Sequence, residues 1–154
     1  QLHRRGFRCL HGVDGSEGML ERARRTELYQ ELRRWEPLGD SLPAEHYDAV
    51  TVVGALGEGQ VPVTVLPELL RVTKPGGFLC LTTRSNPSNL RYKQELEAEL
   101  GRLERCGAWQ KLLAQEVEHW ERATSEEEST RGTGYISGVV YLYQKCPVPP
   151  LKEG

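Results

Sequence analysis

Residues 47–53, YDAVTVV, constrain the fold of this chain more than any other segment. The run is rich in β-branched side chains and long enough for a strand buried on both faces, and strands of that kind belong to parallel sheets. A second near-continuous apolar run, 78–83 (FLCLTT), has the same character. Between them lie a loop with three glycines, 54–60, and a helical stretch to about residue 73 that is apolar at Leu66, Leu69 and Leu70. Pro67 fits there because the first turn of a helix does not use the N–H that proline lacks. Lys74-Pro75-Gly76-Gly77 then ends the helix, since proline cannot continue it and glycine suits a left-handed cap.

The other segments extend that pattern. Residues 6–13 (GFRCLHGV) read as a short strand with Phe7, Cys9 and His11 on one face, closed by the turn Asp14-Gly15-Ser16. Residues 17–25 read as a helix with Met19, Leu20 and Ala23 on a buried stripe. A weak strand is expected over 32–35. Asn86 and Pro87 start a long helix as N-cap and first helical residue. Tyr92, Leu96, Leu100 and Leu103 keep one face of it, Glu99 pairs with Arg102 at i, i+3, and Gly107 closes it. Strands are expected at 115–120 and 136–144, with a mobile loop over 123–134. Residues 1–146 thus read as one α/β domain and 147–154 as a flexible tail. The sheet is open and mostly parallel, with helices on both faces and an antiparallel hairpin at its C-terminal edge. Ligands of such sheets bind beyond the carboxyl ends of the strands, here the loops after Val13, Val53 and Thr83.

Lysine and arginine number 20 against 22 aspartates and glutamates, a formal charge of −2. A field of that size recruits neither nucleic acid nor an anionic membrane surface. No apolar run approaches the ~20 residues of a bilayer-spanning helix. Cys9, Cys80, Cys106 and Cys146 are scattered with no C-x-x-C, which reads as free buried thiols in a reducing, cytoplasmic setting. Cys9 and His11 have metal-like spacing but no second pair, so no metal site is expected. The chain is expected to be a monomer.

Asp14, at a strand end and helix start, can accept both hydroxyls of a ribose, or it can cap the helix in a box with Glu17, with Ser16 an equally good cap. Met19 can wall a nucleobase or fill the core. The turn Gly54-Ala55-Leu56 either admits a ligand close to the backbone or is only tight. Lys74 suits the dipole of the helix end before it. His3, His46 and His119 have no partners that make a triad or metal cluster. Hydrolase-elbow, zinc-protease and P-loop signatures do not occur.

Three blocks carry a resemblance. HGVDGSEGMLERAR (11–24) resembles the second strand and following helix of class I S-adenosylmethionine-dependent methyltransferases. YDAVTVVGAL (47–56) resembles their fourth strand, and LPELLRVTKPGGFLCLTT (66–83) their next helix, turn and fifth strand. VVGALGEGQVP, TTRSNPSNLRYK and YISGVVYLYQK point within that family to its vertebrate methyltransferase-like members.

The resemblance implies S-adenosylmethionine as cofactor and a Rossmann-like fold. It makes Asp14 the ribose acceptor, Gly15 and Ser16 the adjoining loop, and Met19 a wall of the adenine pocket. Leu38 falls near the adenine edge, with Glu36 or Asp40 as partner of the adenine amino group. Gly54, Ala55 and Leu56 border the methionine moiety, and Arg84, Asn86, Asn89 and Tyr92 are candidates to touch the methyl acceptor. That acceptor is expected to be a small molecule or a protein. Family members precede this region with a first strand and a glycine-rich G-x-G-x-G loop, which nothing before Gly6 matches. The chain therefore reads as N-terminally truncated, with impaired activity, and the strands beside the missing one are expected to keep open edges or to close on each other. Two alternatives remain open: a non-catalytic interaction protein of this family, and a dinucleotide-binding domain. The KPGG turn and the terminal hairpin argue against the second.

Overall fold

The computed structural model describes residues 2–34, 42–123, 125, 129–130 and 134–146. The chain forms two compact units, Gln1–Leu42 and Pro43–Gly154. Among the described residues no helix is long and apolar enough to cross a membrane.

The first unit holds strand β1 (His11–Asp14), helix α1 (Glu17–Thr26) and strand β2 (Glu31–Arg34). β1 and β2 pair in parallel from His11↔Glu31 to Asp14↔Arg34. Residues 7–10, expected within the first strand, lie outside this ladder because β2 offers only four partners. A Cβ on Gly12 would stand 2.7 Å from Leu32 Cδ2 and 3.0 Å from the Tyr29 ring, so glycine lets these side chains cross the strand. In α1 the stripe expected to be buried is divided: Leu20 is 1% exposed but Met19 is 52% exposed.

The second unit carries β3 (Tyr47–Leu56), α2 (Leu66–Val72), β4 (Thr73–Arg84), α3 (Leu90–Arg105), β5 (Trp109–Arg122) and β6 (Tyr135–Lys145). Short 3-10 turns, Val63–Val65 and Pro87–Asn89, lead into α2 and α3. The sheet order is β3-β4-β6-β5. β3 and β4 run parallel, and β6 is antiparallel to both β4 and β5. The C-terminal hairpin thus joins the sheet through its second strand, which leaves β5 at the far edge.

Both helices pack on one face of this sheet. Leu66 and Leu70 from α2 and Tyr92, Leu96, Leu100 and Leu103 from α3 form one cluster with Leu79, Leu81, Val139, Tyr141 and Tyr143. Val50 and Val52 of β3 pack against it. Trp109, fully buried, donates its indole N–H to the Leu100 carbonyl at 3.0 Å and stacks obliquely on Tyr143. The i, i+3 pair is present as drawn from the sequence, with Arg102 donating to Glu99 at 2.9 and 2.6 Å. The dipole of α2 is met differently. Lys74 pairs with Asp48 at 3.3 Å, and it is Lys145 that donates to the carbonyls of Leu70 and Thr73 at 2.8 and 2.9 Å. Lys145 reaches that helix end from a strand some seventy residues later, a contact that local sequence cannot show.

β3 departs from the strand buried on both faces that its composition implies. Val53 is 60% exposed, and Ala49 and Thr51 are exposed beside it. β3 has one strand neighbour, β4, and β1 likewise has only β2, so each keeps an open edge among the described residues. Of the two outcomes expected for these strands, the open edges are the one found. The four cysteines are free, and Cys9 and Cys106 are exposed rather than buried.

Candidate cofactor and acceptor sites

In the first unit the chain turns from β1 into α1 through Asp14, Gly15 and Ser16. Ser16, in extended conformation, is the N-cap, and its hydroxyl accepts from the Met19 N–H at 3.3 Å. The Ser16 N–H in turn donates to Asp14 Oδ1 at 2.9 Å. Asp14 is therefore not the cap but braces it, and its Oδ2 accepts no bond from a described residue. Glu17 turns instead toward Arg34, 3.9 Å away, so the box drawn from spacing does not form. Nothing lies within 4 Å of where a Gly15 Cβ would be, and the exposed Met19 follows one turn on. A half-exposed carboxylate with a spare oxygen, an open glycine and an apolar exposed side chain are the features a nucleoside asks for. Leu38, Glu36 and Asp40 lie outside the described residues.

In the second unit the carboxyl ends of β3 and β4 are tied to each other. Gly54 has φ +76, the left-handed region, with open space where a Cβ would sit. Its N–H donates to Thr82 Oγ1 at 3.1 Å, and Thr83 Oγ1 donates to the Leu56 carbonyl at 2.9 Å. The Ala55 carbonyl accepts from the Val61 N–H at 3.1 Å, which turns the loop back along the strand.

The four acceptor candidates fall into two kinds. Asn89 is buried and fully engaged: its carbonyl oxygen accepts from the Glu58 N–H, and its amide donates to Thr83 Oγ1 and to the Arg84 carbonyl. Tyr92 is buried and donates its hydroxyl to the Val61 carbonyl at 2.5 Å. Burial, with the charges of Glu95 and Glu58, pushes its pKa up to about 12. Asn86 is fully buried at the head of the Pro87–Asn89 turn, with its amide on Ser88 Oγ. These three hold the loop after β3 and the start of α3. Arg84 alone stands at the surface, clasping Glu121 of β5 with Nε and Nη2 at 2.6 and 3.2 Å.

Gly54, Leu56, Gln60, Thr82, Thr83, Arg84, Trp120 and Glu121 line one shallow hollow at this end of the sheet. Trp120 and Glu121 escape a reading of the sequence because they sit in a polar segment with no motif. Their only local signal is an aromatic residue inside a weak strand.

Residues 1–81, more than half of the chain, match the family described as a methyltransferase domain. The chain belongs to that family. It is 53% identical over 120 residues to human methyltransferase-like protein 27, a match that covers 77% of this chain and 49% of that protein. The chain thus spans about half the length of that curated relative. Among solved structures it resembles a SAM-dependent methyltransferase of Methanosarcina mazei at TM-score 0.59 and 16% identity, covering 89% of this chain and 82% of the other. It also resembles the [4+2]-cyclase SpnF at TM-score 0.63 and 15% identity, covering 90% and 67%. At such identities the likeness shows the fold alone, which is the Rossmann-like methyltransferase fold.

Proposed function

We propose that this methyltransferase domain transfers a methyl group from S-adenosylmethionine to a small-molecule or protein acceptor. The observation that carries the reading is Asp14, whose carboxylate is held by the Ser16 N–H through one oxygen and keeps the other for a ribose hydroxyl. Gly15 and Ser16 adjoin the nucleoside, and Met19 offers an apolar wall. When bound, the cofactor supplies a methyl group already activated by its positive sulfur. The protein's part is to orient, to exclude water and to hold the acceptor in line, so no strong base is required of it.

Calorimetric titration of S-adenosylmethionine into the chain tests this. A hydrogen bond to a charged group is worth about 1.5–3 kcal/mol, so Asp14→Ala is expected to weaken binding about 10–100-fold. Equal affinity of the variant and the parent chain overturns the role of Asp14. A non-catalytic interaction role is the second reading, and the open edge of β3 favours it, since an unpaired strand edge is a ready template for a partner strand. Absence of cofactor binding together with a stable complex through β3 decides for that reading.

A further inference from the structure

The last rung of the β1–β2 ladder sets two opposite charges side by side. Asp14 ends β1, Arg34 ends β2, and the two are register partners. In a parallel pair such residues project to the same face, on strands about 4.8 Å apart. An arginine side chain crosses that gap with length to spare, and its fork of N–H groups matches a carboxylate. Arg34 is thus the natural partner for the Asp14 oxygen that the Ser16 N–H leaves over. An ion pair there would take up the oxygen on which ribose recognition depends.

That pair does not form. Arg34 is drawn to Glu17 instead, with Nη1 3.9 Å from Oε1, while Asp14 makes no ion pair with a described residue. Two local features bring this about. Ser16 caps α1, which makes Glu17 the first helical residue, and a glutamate there is long enough to reach across to the end of β2. Asp14 is short, and its Oδ1 is held toward the turn by the Ser16 N–H. The Arg34–Glu17 contact is long and its side chains are 53% and 59% exposed, so it adds little to stability. Its consequence lies in where it keeps the guanidinium.

We propose that Glu17 is a positioning residue for the cofactor: it detains Arg34 and so keeps Asp14 Oδ2 open to a ribose hydroxyl. The inference rests on the reading of Asp14 as the ribose acceptor. It gives a use to a glutamate that stays out of the capping box its spacing allows. Glu17 touches no ligand and moves no proton in this arrangement; it acts through Arg34 alone.

The test takes two substitutions singly and together, Glu17→Gln and Arg34→Gln, with Asp14→Ala as the reference. Calorimetric titration of S-adenosylmethionine into the full chain reads the affinity. Glu17→Gln is expected to weaken binding about three- to fivefold, the reach of an exposed ion pair that the ribose must then displace. Arg34→Gln is expected to bind as the parent chain does, and the double variant to return to the parent affinity. A merely structural role of Glu17, as an acid in the first turn of α1, would leave the double variant as weak as Glu17→Gln. A second readout needs no ligand: the carboxyl carbon resonance of Asp14 should move in Glu17→Gln and return in the double variant. Unchanged affinity of Glu17→Gln overturns the proposal, as does equal weakening by Arg34→Gln or a double variant that stays weak. The reading of Asp14 fails separately, when Asp14→Ala binds as well as the parent chain or the parent chain does not bind. The Asp14 resonance then decides alone, and a resonance that ignores Glu17→Gln overturns the detention of Arg34.

Discussion

The two units of this chain are stabilised very differently. In residues 43–154, thirteen buried residues make one cluster between a four-stranded sheet and two helices. In residues 1–42 the sheet is two strands of four residues each, and Leu20 is the one buried apolar side chain among the described residues. Phe7, Val13 and Met19 are exposed there. A two-stranded sheet is marginal without a covering layer. The residues proposed to hold the nucleoside therefore stand on the less stable framework, and the candidates to touch the acceptor stand on the more stable one. Ligand-binding segments are commonly drawn from the low-stability end of a fold, because binding can then order them.

The strongest test of that contrast is truncation in each unit. Leu96→Ala, in the packed cluster, is expected to cost about 2–5 kcal/mol in urea unfolding. Leu20→Ala should leave the protection of amides in 43–154 unchanged while those of 11–34 exchange faster. Equal losses across both units after either substitution would erase the distinction.

Alkali probes the large unit. Burial is the main cause that pushes Tyr92 and Tyr143 up to about 12, and it raises Tyr141 as well. Unfolded tyrosine ionises near 10, so the neutral hydroxyls contribute stability that is complete below that pH and lost as pH rises from about 10 through 12. Absorbance at 295 nm should show Tyr92, Tyr141 and Tyr143 titrating late, together with loss of the sheet signal. Ionisation of these three near 10 with the fold intact would contradict it.

Gly77→Ala sharpens the comparison at the β3–β4 junction. Its Cβ would stand 2.8 Å from the Asp48 carbonyl and 2.9 Å from that of Lys74, and backbone cannot step aside cheaply. A loss of about 1–3 kcal/mol is expected in thermal or urea unfolding. The smallest effect belongs to the small unit. Ser16→Ala removes the cap of α1 and should cost about 1 kcal/mol, read as faster exchange in 17–26 with the main unfolding transition unmoved.

Much of the architecture was legible because its causes are local. The runs at 47–53 and 78–83 appear as the parallel pair β3 and β4, and the spacing of Tyr92, Leu96, Leu100 and Leu103 is the buried face of α3. β5 was far less legible: it spans Trp109–Arg122, where only 115–120 read as strand. Most of its residues are polar and exposed, so pairing with β6 rather than composition makes it a strand. The same limit applies to side chains. Asn89 and Tyr92 have the chemistry of ligand-binding residues, yet both are consumed by backbone groups of the loop after β3. Met19 has the spacing of a core residue and is exposed.

The sequence by itself determined the order of strands and helices and the position of Asp14 at a strand end, but not the end of α2: Thr73, in extended conformation, ends it, and Lys74-Pro75-Gly76-Gly77 lie within β4 rather than in a separate turn. Periodicity, proline and glycine act over a few residues, and a strand-to-helix turn is written in adjacent positions. Tertiary structure alone decided which strand edges stay open, that Lys145 rather than Lys74 meets the end of α2, and that Arg84, Trp120 and Glu121 share one hollow. Arg84 and Glu121 are 37 residues apart. Only the order β3-β4-β6-β5 and the bulge that turns the end of β5 bring them together, and neither is a property of any short segment.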